Sequence, residues 1–569
     1  MNVRTFYQRR APLIVVLILI SGCFLLSLYF RQSLFRLLID NTAFTTYTVI
    51  LFYFCLGILF SLLTVYARTI LSYFANISNR TWIMLLCIFV LGFVYRMFLI
   101  EHVGLRVELG DWFIESAEEI SIFKYNMIKS TKSMGLPIIL SILFRFCDPT
   151  LTNLSHFNII IGTLSILLIF SLAYLLLDNE NIALISSLFL ALSPLHIVES
   201  VGPEYSIAAI FFTLLTLNLL VMFIDNERWI FLLMSILTLI ITVVTRGEYI
   251  IVVILSFLAL LFMSKKKYHW SIYPIICLFF LLLLPYLIWL MHIYLSGFWL
   301  DNPNLHYSGT IFSKIIQVTF SDLLQNIFIP FYRDDILSFN FILFETGVIL
   351  GLNKHKRPVL FISAYYLLFF IAANTGHVSE GLGAAFKYYL NLVPAICLLA
   401  ATGVYEGLRL FSKKMIRISV ASLLIVFFFL QFFKGIGAAR YDNDGGYAYH
   451  KHQEILALKA HVSEIDRTAY FILSGVSIID SALGIKNSNI IDIQNMEQLK
   501  ALSLKPEGLY YFYSGYFFKA IDKSEGWHRI ESKHIQERLM QDYELKEIFR
   551  TNINAKEVFL YQLNYIEPN

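Results

Sequence analysis

The sequence predicts an α-helical polytopic membrane protein with a small C-terminal α/β domain outside the membrane. Its 569 residues are 58% hydrophobic and only 15% charged, whereas a soluble globular chain carries roughly 25% charged residues. Apolar runs long enough to cross a bilayer recur as far as residue 434, and a more polar stretch follows them. Lysine and arginine are concentrated between alternate runs, which is typical of loops on the cytoplasmic side.

A spanning helix needs about 20 predominantly apolar residues, and about 13 runs of roughly that length lie along the chain. They are 13–30, 46–66, 82–100, 154–177, 182–198, 205–224, 229–245, 248–263, 271–295, 339–352, 358–374, 386–407 and 418–434. The first run is expected to be an uncleaved span rather than a signal peptide, because no small-residue cleavage site follows it.

Basic residues in the short loops predict the orientation. Arg4, Arg9 and Arg10 place the N-terminus in the cytoplasm, because positive residues are retained on that side. The even-numbered crossings then return the strongest basic clusters to the same side. These clusters are Arg68 with Arg80, 265–267, 354–357, and Arg409 with Lys413, Lys414 and Arg417. The loops between them and the C-terminal region are therefore predicted to be extracytoplasmic.

Three regions are predicted along the chain. Residues 1–81 form two N-terminal spanning helices, 82–434 form a transmembrane core, and 435–569 form the extracytoplasmic domain. The external loops of the core are 101–153, 193–204, 297–338 and 375–385. The C-terminal domain combines helical patterns with strand-like runs, which indicates a small α/β fold. The helical patterns are 450–464, 494–503 and 533–546, and the strand-like runs are Ala469–Leu473, Leu509–Tyr513 and Glu557–Leu563.

Net charge and cysteine usage exclude some classes of function. A formal net charge of +4 is too small to indicate a nucleic-acid partner. Five of the six cysteines lie in strongly apolar runs, where core packing explains them, and only Cys147 falls in an external loop. This pattern contains no recognisable disulfide framework or cysteine-based metal site.

The first external loop is rich in carboxylates interleaved with aromatic residues. Asp111 stands between Gly110 and Trp112, and three glutamates follow within the next eight residues. A solvated acidic loop explains this composition as well as a functional interpretation does. In the functional interpretation, Asp111 is a general base held at the membrane surface.

Two further segments place polar residues at the ends of spans. His196, Glu199 and Glu204 lie around the second external loop, where acidic residues are costly unless they face water or a partner. Arg246 separates two spans and is either an interfacial anchor or a phosphate clamp, since a planar guanidinium matches phosphate oxygens.

The last external loop is glycine-rich and is flanked by basic residues. His377 lies near its start, and Lys387 opens the next span, directly before Tyr388 and Tyr389. Snorkelling of the lysine and an aromatic belt explain these residues without a ligand. Alternatively, the glycines allow the backbone to approach a ligand closely, and the basic residues bind its phosphate.

All seven candidate residues are predicted to lie on the extracytoplasmic face, although the orientation depends on other residues, the cytoplasmic lysines and arginines. Each signal is weak when it is considered alone. A single face that combines carboxylates for base catalysis with cations for a phosphate suits a lipid-phosphate substrate.

The order of these elements resembles the glycosyltransferase C superfamily, near the family 39 dolichyl-phosphate-mannose protein mannosyltransferases and the bacterial lipid A aminoarabinose transferase. The resemblance covers roughly residues 82–410 and depends on four short elements. They are Arg96 with Gly110-Asp111-Trp112 and Ala117, Ser193-Pro194 with Pro203-Glu204-Tyr205, Thr245-Arg246-Gly247-Glu248, and Lys387-Tyr388-Tyr389 with Pro394. The chain departs from the superfamily pattern in Trp112, in the lysine at 387 and in its two extra N-terminal spans.

The resemblance implies a fold of glycosyltransferase C type and an inverting transfer of a hexose or pentose. The donor would be a polyprenyl- or dolichyl-phosphate sugar, and the acceptor would be a hydroxyl of a protein, lipid or glycan. Asp111 would be the catalytic base, and Arg246 and Lys387, with His377 third, would bind the donor phosphate. Glu204, Glu199 and His196 would be acceptor or metal candidates. The requirement for a divalent cation stays open, since these spacings define no metal site.

The alternative is a polytopic transporter or flippase of a lipid-linked or anionic glycan, because charges within spans are frequent in transporters. The lack of a recognisable inverted repeat and the position of the charges at one face favour the transferase. A third alternative is a membrane scaffold that presents the C-terminal domain. The Glu-Pro-Asn end carries no retrieval signal. A bacterial inner (plasma) membrane is therefore expected, although an endoplasmic reticulum membrane would impose the same physics.

Overall fold

The computed structural model describes most of the core and parts of the C-terminal region. The described residues are 42–100, 107–122, 133–202, 205–263, 340–377, 389–442, 461–462, 465, 469–473, 501, 503, 508–514, 518–523, 526–553 and 556–566. The predicted spans 13–30 and 271–295 and the predicted external loop 297–338 lie outside these ranges.

The described elements are mostly helical up to Asp442 and mostly extended after it. The helices are α1 (Thr42–Val65), α2 (Ala67–Ser72), α3 (Asn79–Leu99), α4 (Val107–Ser121), α5 (Gly135–Leu143), α6 (Leu151–Leu177), α7 (Glu180–Ala191), α8 (Pro194–Val201), α9 (Tyr205–Asn226), α10 (Trp229–Thr245), α11 (Ile251–Met263), α12 (Asn340–Lys354), α13 (Lys356–His377), α14 (Val393–Leu410), α15 (Lys414–Asp442) and α16 (Ser532–Asp542). Short 3-10 helices occupy Gly247–Ile250 and Leu390–Leu392.

Several of these helices are long and apolar enough to cross a membrane. Within the described residues there are five, or six if the bent pair α7–α8 is one span. The five are Thr48–Val65, Asn79–Leu99, Thr152–Leu177, Tyr205–Asn226 and Leu390–Leu410. The predicted fold class, an α-helical polytopic membrane protein followed by a small strand-containing region, is confirmed.

Side-chain caps determine where the helices of the core begin. Ser78 caps α3 by accepting a hydrogen bond from the main-chain N–H of Thr81 at 3.3 Å, and its own hydroxyl donates to Glu180 at 2.8 Å. Asn179 caps α7 by accepting from the N–H groups of Asn181 and Ile182. These bonds satisfy donors that have no partner inside the helices, and they join the starts of α3 and α7.

The predicted span 182–198 is not one straight helix. It is divided into α7 and α8, which are bent by 54°. Pro194 begins α8, because proline lacks an N–H group and is tolerated only in the first turn of a helix. All eight residues of α8 are buried, so polar side chains on this short helix lie inside the protein.

Helices α12 and α14 pack so closely that their backbones are in contact at glycines. Gly347 on α12 faces Gly403 on α14, and a methyl group added at either glycine would overlap a main-chain carbonyl of the other helix. Gly351, one turn further along α12, lies close to the side chain of Thr402 on α14. Small residues spaced by four let helices approach in a membrane, where burial of apolar surface between helices supplies little driving force.

We expect Gly403→Ala to lower the free energy of unfolding by about 1–3 kcal/mol, because the added carbon meets the carbonyl of Leu343 and the backbone must move. Thermal unfolding in detergent measures this effect. Gly57→Ala is the matched control, since nothing lies within 4 Å of an added carbon at that exposed position of α1. Equal melting temperatures for the two variants would contradict close packing of α12 on α14.

The same helix pair carries a buried carboxylate surrounded by basic side chains. Glu406 on α14 is 3% exposed and forms an ion pair with Lys354 at the end of α12. His355 and Arg409 lie 4.0 and 3.7 Å from its second oxygen. Two basic clusters that the sequence places on the cytoplasmic side therefore approach the same carboxylate.

The strands described in the C-terminal region form a four-stranded sheet and a separate hairpin. The strands are β1 (Tyr470–Leu473), β2 (Leu509–Ser514), β3 (Phe518–Lys523), β4 (Gly526–Glu531), β5 (Tyr543–Ile553) and β6 (Lys556–Tyr565). The sheet has the order β1-β2-β6-β5, in which β1 and β2 are parallel and the other pairs are antiparallel. The hairpin pairs β3 with β4. Buried tyrosines and leucines of β2, β6 and α16 form the core of this sheet.

The sequence predicts β1, β2 and β6 at nearly their observed positions, but its helical assignment of 533–546 is partly wrong. Helix α16 ends at Asp542, and Tyr543 begins β5. Strand β5 pairs with β6 along its length and contains a bulge between Glu547 and Phe549. The bulge interrupts the alternation of side chains, and long-range pairing overrides the local helical preference.

Candidate functional site

The seven candidate residues are described to different degrees. The side chains of His196, Glu199 and Arg246 are described. Asp111 lies in α4, and His377 is the last residue of α13. Glu204 and Lys387 lie outside the described residues. Glu204 belongs to the two-residue connection between Gly202 and α9, and Lys387 precedes the 3-10 helix that leads into α14.

Arg246 occupies a break between two helices. It ends α10 with extended backbone angles, and the 3-10 helix Gly247–Ile250 follows directly. Its side chain is fully buried, donates a hydrogen bond to the Ser206 hydroxyl, and lies 4.7 Å from the centre of the Tyr205 ring. The Tyr249 ring lies 6.0 Å away. Cation–π contacts and a charge-assisted hydrogen bond therefore hold the guanidinium in a fixed orientation.

Tyr205 joins three of the candidate segments. Its ring contacts Phe113 edge to face at 5.7 Å, and Phe113 lies two residues after Asp111 on α4. The same ring lies against Arg246, and Tyr205 directly follows Glu204 in the chain. Phe113 and Ala117 of α4 pack with Leu136 of α5 and Ala208 of α9 in one buried cluster. The helix that carries Asp111 is therefore docked on the start of α9.

The segment before α5 packs against the Arg246 break. The main-chain N–H of Gly247 donates to the Ser133 hydroxyl at 3.0 Å. Gly135 lies so close to the backbone of Thr245 that a methyl group there would overlap it. Only glycine allows this approach. Two parts of the predicted first external loop, around Phe113 and around Ser133, thus contact the same region of the core.

Tyr249 connects this region to the segment that follows Lys387. Its hydroxyl donates to the side-chain oxygen of Asn391, which is 5% exposed in the 3-10 helix Leu390–Leu392. Its ring also contacts Phe369 of α13 at 5.2 Å. Lys387 lies four residues before Asn391 in the sequence. The break at Arg246 is therefore bonded to the 3-10 helix that precedes α14.

His196 forms a buried pair with Arg96. The guanidinium of Arg96 donates to His196 Nδ1 at 2.8 Å, and it also donates to the carbonyls of Gly92 and Ala191. Because arginine remains protonated and only donates, Nδ1 must be the acceptor, and the imidazole carries its proton on Nε2. Arg96 thereby connects α3 to the last residue of α7 and to α8, across the bend between those helices.

We expect His196→Leu to lower the free energy of unfolding by about 1–3 kcal/mol, because Arg96 then loses a buried acceptor. His196→Gln supplies an oxygen acceptor and should therefore lower the free energy of unfolding by less. Thermal unfolding in detergent compares the two. His156→Leu is the control, since the partly exposed His156 should tolerate the change within about 0.5 kcal/mol. A His196→Leu variant as stable as this control would contradict the pair's role.

Glu199 lies one turn after His196 on the same helix and is 2% exposed. Of the two environments that the sequence allows for this carboxylate, water or a partner, the burial excludes bulk water. Within the described residues, no group of three or more His, Cys, Asp or Glu side chains is arranged to hold a metal ion.

Sequence reasoning did not identify three residues that organise this region. Asn158 donates to the carbonyl of Gly202 at 2.7 Å, Ser206 accepts from Arg246, and Tyr249 bonds Asn391. Asn158 carries a recognisable signal, because an amide inside an apolar run needs a hydrogen-bond partner. Ser206 and Tyr249 carry none, since a serine or tyrosine near a span end is ordinary.

Two comparisons with known proteins gave no match. No protein-family model matches the chain, and no curated protein does.

Some solved structures match the chain at low sequence identity and with TM-scores below 0.5. One is the archaeal oligosaccharyltransferase AglB from Archaeoglobus fulgidus, in complex with an inhibitory peptide and a dolichol-phosphate, at 12% identity and a TM-score of 0.47. The match covers 84% of this chain and 80% of that chain. Another is ArnT from Cupriavidus metallidurans bound to undecaprenyl phosphate, at 11% identity and a TM-score of 0.47, covering 85% of this chain and 98% of that chain.

Matches at this identity and TM-score assign no activity, substrate or site residue to this chain.

Proposed function

We propose that this protein is an inverting glycosyltransferase that moves a sugar from a polyprenyl phosphate to an acceptor hydroxyl on the extracytoplasmic face of its membrane. One observation supports this proposal more than any other. The Tyr205 ring contacts both Phe113 and Arg246, so the segments that carry Asp111, Glu204 and Arg246 meet at one place in the core. The sequence separates these segments by about 90 and 40 residues.

The proposed reaction is a single displacement. Asp111 takes the proton of the acceptor hydroxyl, and the acceptor oxygen attacks the anomeric carbon of the donor sugar. The bond between that carbon and the phosphate oxygen breaks, and its electron pair leaves with the polyprenyl phosphate. Attack from the side opposite the phosphate inverts the anomeric configuration. Base catalysis of this kind is worth about 10²- to 10⁴-fold in rate.

Arg246, Lys387 and His377 are proposed to stabilise the leaving phosphate. Arg246 is already fixed by Ser206 and by two tyrosine rings, so its charge needs no reorganisation during the reaction. Tyr249 links the same break to the segment after Lys387. Cations arranged in advance stabilise the charge that develops on the phosphate, and a site of low dielectric strengthens their effect.

Glu204, Glu199 and His196 are proposed as residues that bind the acceptor or a divalent cation. Glu199 and His196 are buried on α8, and Glu204 follows α8 by three residues. The C-terminal domain is proposed to bind the acceptor or to cover the site.

Donor consumption in detergent tests the proposal. A transferase consumes a polyprenyl-phosphate sugar without any sealed compartment, so labelled sugar should pass from the lipid to a water-soluble acceptor. A transporter would instead move the donor across sealed proteoliposomes and leave its sugar attached. A scaffold would do neither, and either of these two results would overturn the proposal.

A further inference from the structure

We propose that five basic side chains at the predicted cytoplasmic end of the core bind the headgroup of an anionic phospholipid. They come from two corners, one between α12 and α13 and the other between α14 and α15. We call them the basic patch, and they are Lys356, Arg357, Lys413, Lys414 and Arg417. Lipid binding can be measured without any sugar transfer, so the proposal does not depend on the proposed function.

The basic patch and the candidate site lie at opposite ends of one span. Tyr249, three residues after Arg246, bonds Asn391 at the start of the span Leu390–Leu410. The other end of this span leads directly into the corner between α14 and α15. A helix of this length is about 30 Å long. The patch is therefore distinct from the region around Arg246.

A buried carboxylate holds the two corners together. Glu406, in the last turns of α14, is 3% exposed and forms an ion pair with Lys354 at the end of α12. Arg409 and His355 lie 3.7 and 4.0 Å from its second oxygen. Lys354 and Arg409 therefore neutralise Glu406, and the basic residues on either side of this cluster are brought to the same end of the core.

The basic patch carries charge that the surrounding sequence does not balance. In the two corners and their flanking turns, 351–360 and 401–420, the sequence contains seven lysines and arginines and one acidic residue, Glu406. All five members of the patch are exposed. Helix α7 packs against α14 and carries one acidic residue, Glu180, which is engaged by hydroxyls of α3 and its cap. Such a surplus of positive charge attracts an anion, and phosphate oxygens suit both lysine and arginine.

The corner between α14 and α15 restrains part of this charge. The guanidinium of Arg417 donates to the carbonyl of Phe411 from Nε at 3.1 Å and from Nη2 at 2.8 Å. These bonds close a loop around Lys413 and Lys414. The two lysines are thus confined to the start of α15, and less conformational entropy is lost when they bind a ligand.

Exposed apolar side chains adjoin the basic patch. Leu410 and Met415, which flank the two lysines in the sequence, are 70% and 74% exposed. Exposed apolar residues continue along α15 at Leu423, Ile425, Val426, Leu430 and Phe433. A soluble polyanion would leave these side chains in water, whereas a phospholipid places its phosphate among the cations and its acyl chains against α15. This combination favours an anionic phospholipid over a nucleic acid or an acidic protein.

The chain offers a matched control on the same predicted side of the membrane. Arg68 on α2 and Arg80 on α3 are exposed basic residues. Unlike the patch, their corner has a carboxylate beside it, because Glu180 accepts hydrogen bonds from Ser78 and Thr81. Removal of two charges here should therefore affect phospholipid binding much less than removal of two charges from the patch.

Binding of phosphatidylglycerol to the full-length protein in detergent tests the proposal. Native mass spectrometry follows titrations with this lipid and, separately, with phosphatidylcholine of the same acyl chains. The wild type should bind its first phosphatidylglycerol at least about 10-fold more tightly than phosphatidylcholine. The double variant Lys356→Gln, Lys414→Gln should weaken that binding by about 10- to 30-fold, because each basic residue near an anionic lipid contributes about fivefold.

The control variant Arg68→Gln, Arg80→Gln should weaken binding by less than about threefold, since charges more than a Debye length away are largely screened. All four replaced side chains are exposed, so both variants should keep the wild-type melting temperature in lipid-free detergent. Equal affinity of the wild type for the two lipids, or equal losses in the two double variants, would overturn the proposal. Displacement of phosphatidylglycerol by a similar concentration of inorganic phosphate would also overturn it, because the patch would then be a site for free phosphate.

Discussion

Asp111→Asn is expected to lower sugar transfer by at least about 100-fold, because the amide cannot accept the proton of the acceptor hydroxyl. The substitution preserves the size of the side chain and should leave helix α4 docked through Phe113 and Ala117. Initial rates with saturating donor and acceptor measure the effect on kcat. Melting temperature in detergent shows whether the variant is folded.

Glu119→Gln is the control for this prediction. Glu119 is an exposed carboxylate on the same helix as Asp111, and the sequence alone gives both the character of a solvated acidic loop. Its replacement removes the same charge and should change the rate by less than about twofold, as expected for a surface position. If Asp111→Asn retains more than a tenth of the wild-type rate, Asp111 is not the general base.

The second large effect is expected at Arg246. Arg246→Lys keeps the positive charge but loses the planar guanidinium that lies over Tyr205 and bonds Ser206. We expect transfer to fall by about 10- to 100-fold, which corresponds to the loss of a hydrogen bond to a charged group. Measurement of kcat and KM for the donor separates an effect on the chemical step from an effect on donor binding. A weaker phosphate contact in the transition state lowers kcat.

Arg409→Lys makes the same exchange at a comparable contact outside the proposed site. Arg409 lies 5.6 Å from the centre of the Tyr405 ring and is largely exposed beside Glu406. The Arg409→Lys substitution should leave transfer unchanged, because lysine can still pair with Glu406. Equal activity of the Arg246→Lys variant and wild type would show that only the charge, or nothing at position 246, matters for the reaction.

Hydropathy predicts spanning helices well because a bilayer imposes one simple requirement, about 20 apolar residues whose backbone groups bond one another. The run 205–224 begins with α9, and 82–100 differs from α3 by a few residues; both helices are long and apolar enough to cross a membrane. The same rule fails for 182–198, where the apolar run continues through Ser193 and Pro194 but the helix does not. A proline at the start of a helix and a proline within one have similar sequence signals, and packing decides between them.

In the candidate site, too, the sequence predicts some features and packing decides others. Charge asymmetry predicts that Asp111, Glu204 and Arg246 share one face, and a topological argument of this kind needs no contacts. It does not predict that Tyr205 lies between Phe113 and Arg246, or that Asn158 bonds Gly202. These contacts join residues more than 40 apart in the sequence, and they depend on how helices pack. Only the requirement that buried polar groups find partners points to them in advance.

The product of one turnover tests the central proposal most directly. Purified protein in detergent is incubated with a panel of polyprenyl-phosphate sugars and candidate acceptors, and mass spectrometry and nuclear magnetic resonance follow the products. We predict that at least one donor gives an acceptor heavier by one sugar, with inverted anomeric configuration, and an equal amount of free polyprenyl phosphate. Intact donor across the panel, with transport of the same donor in sealed proteoliposomes, would contradict the proposal.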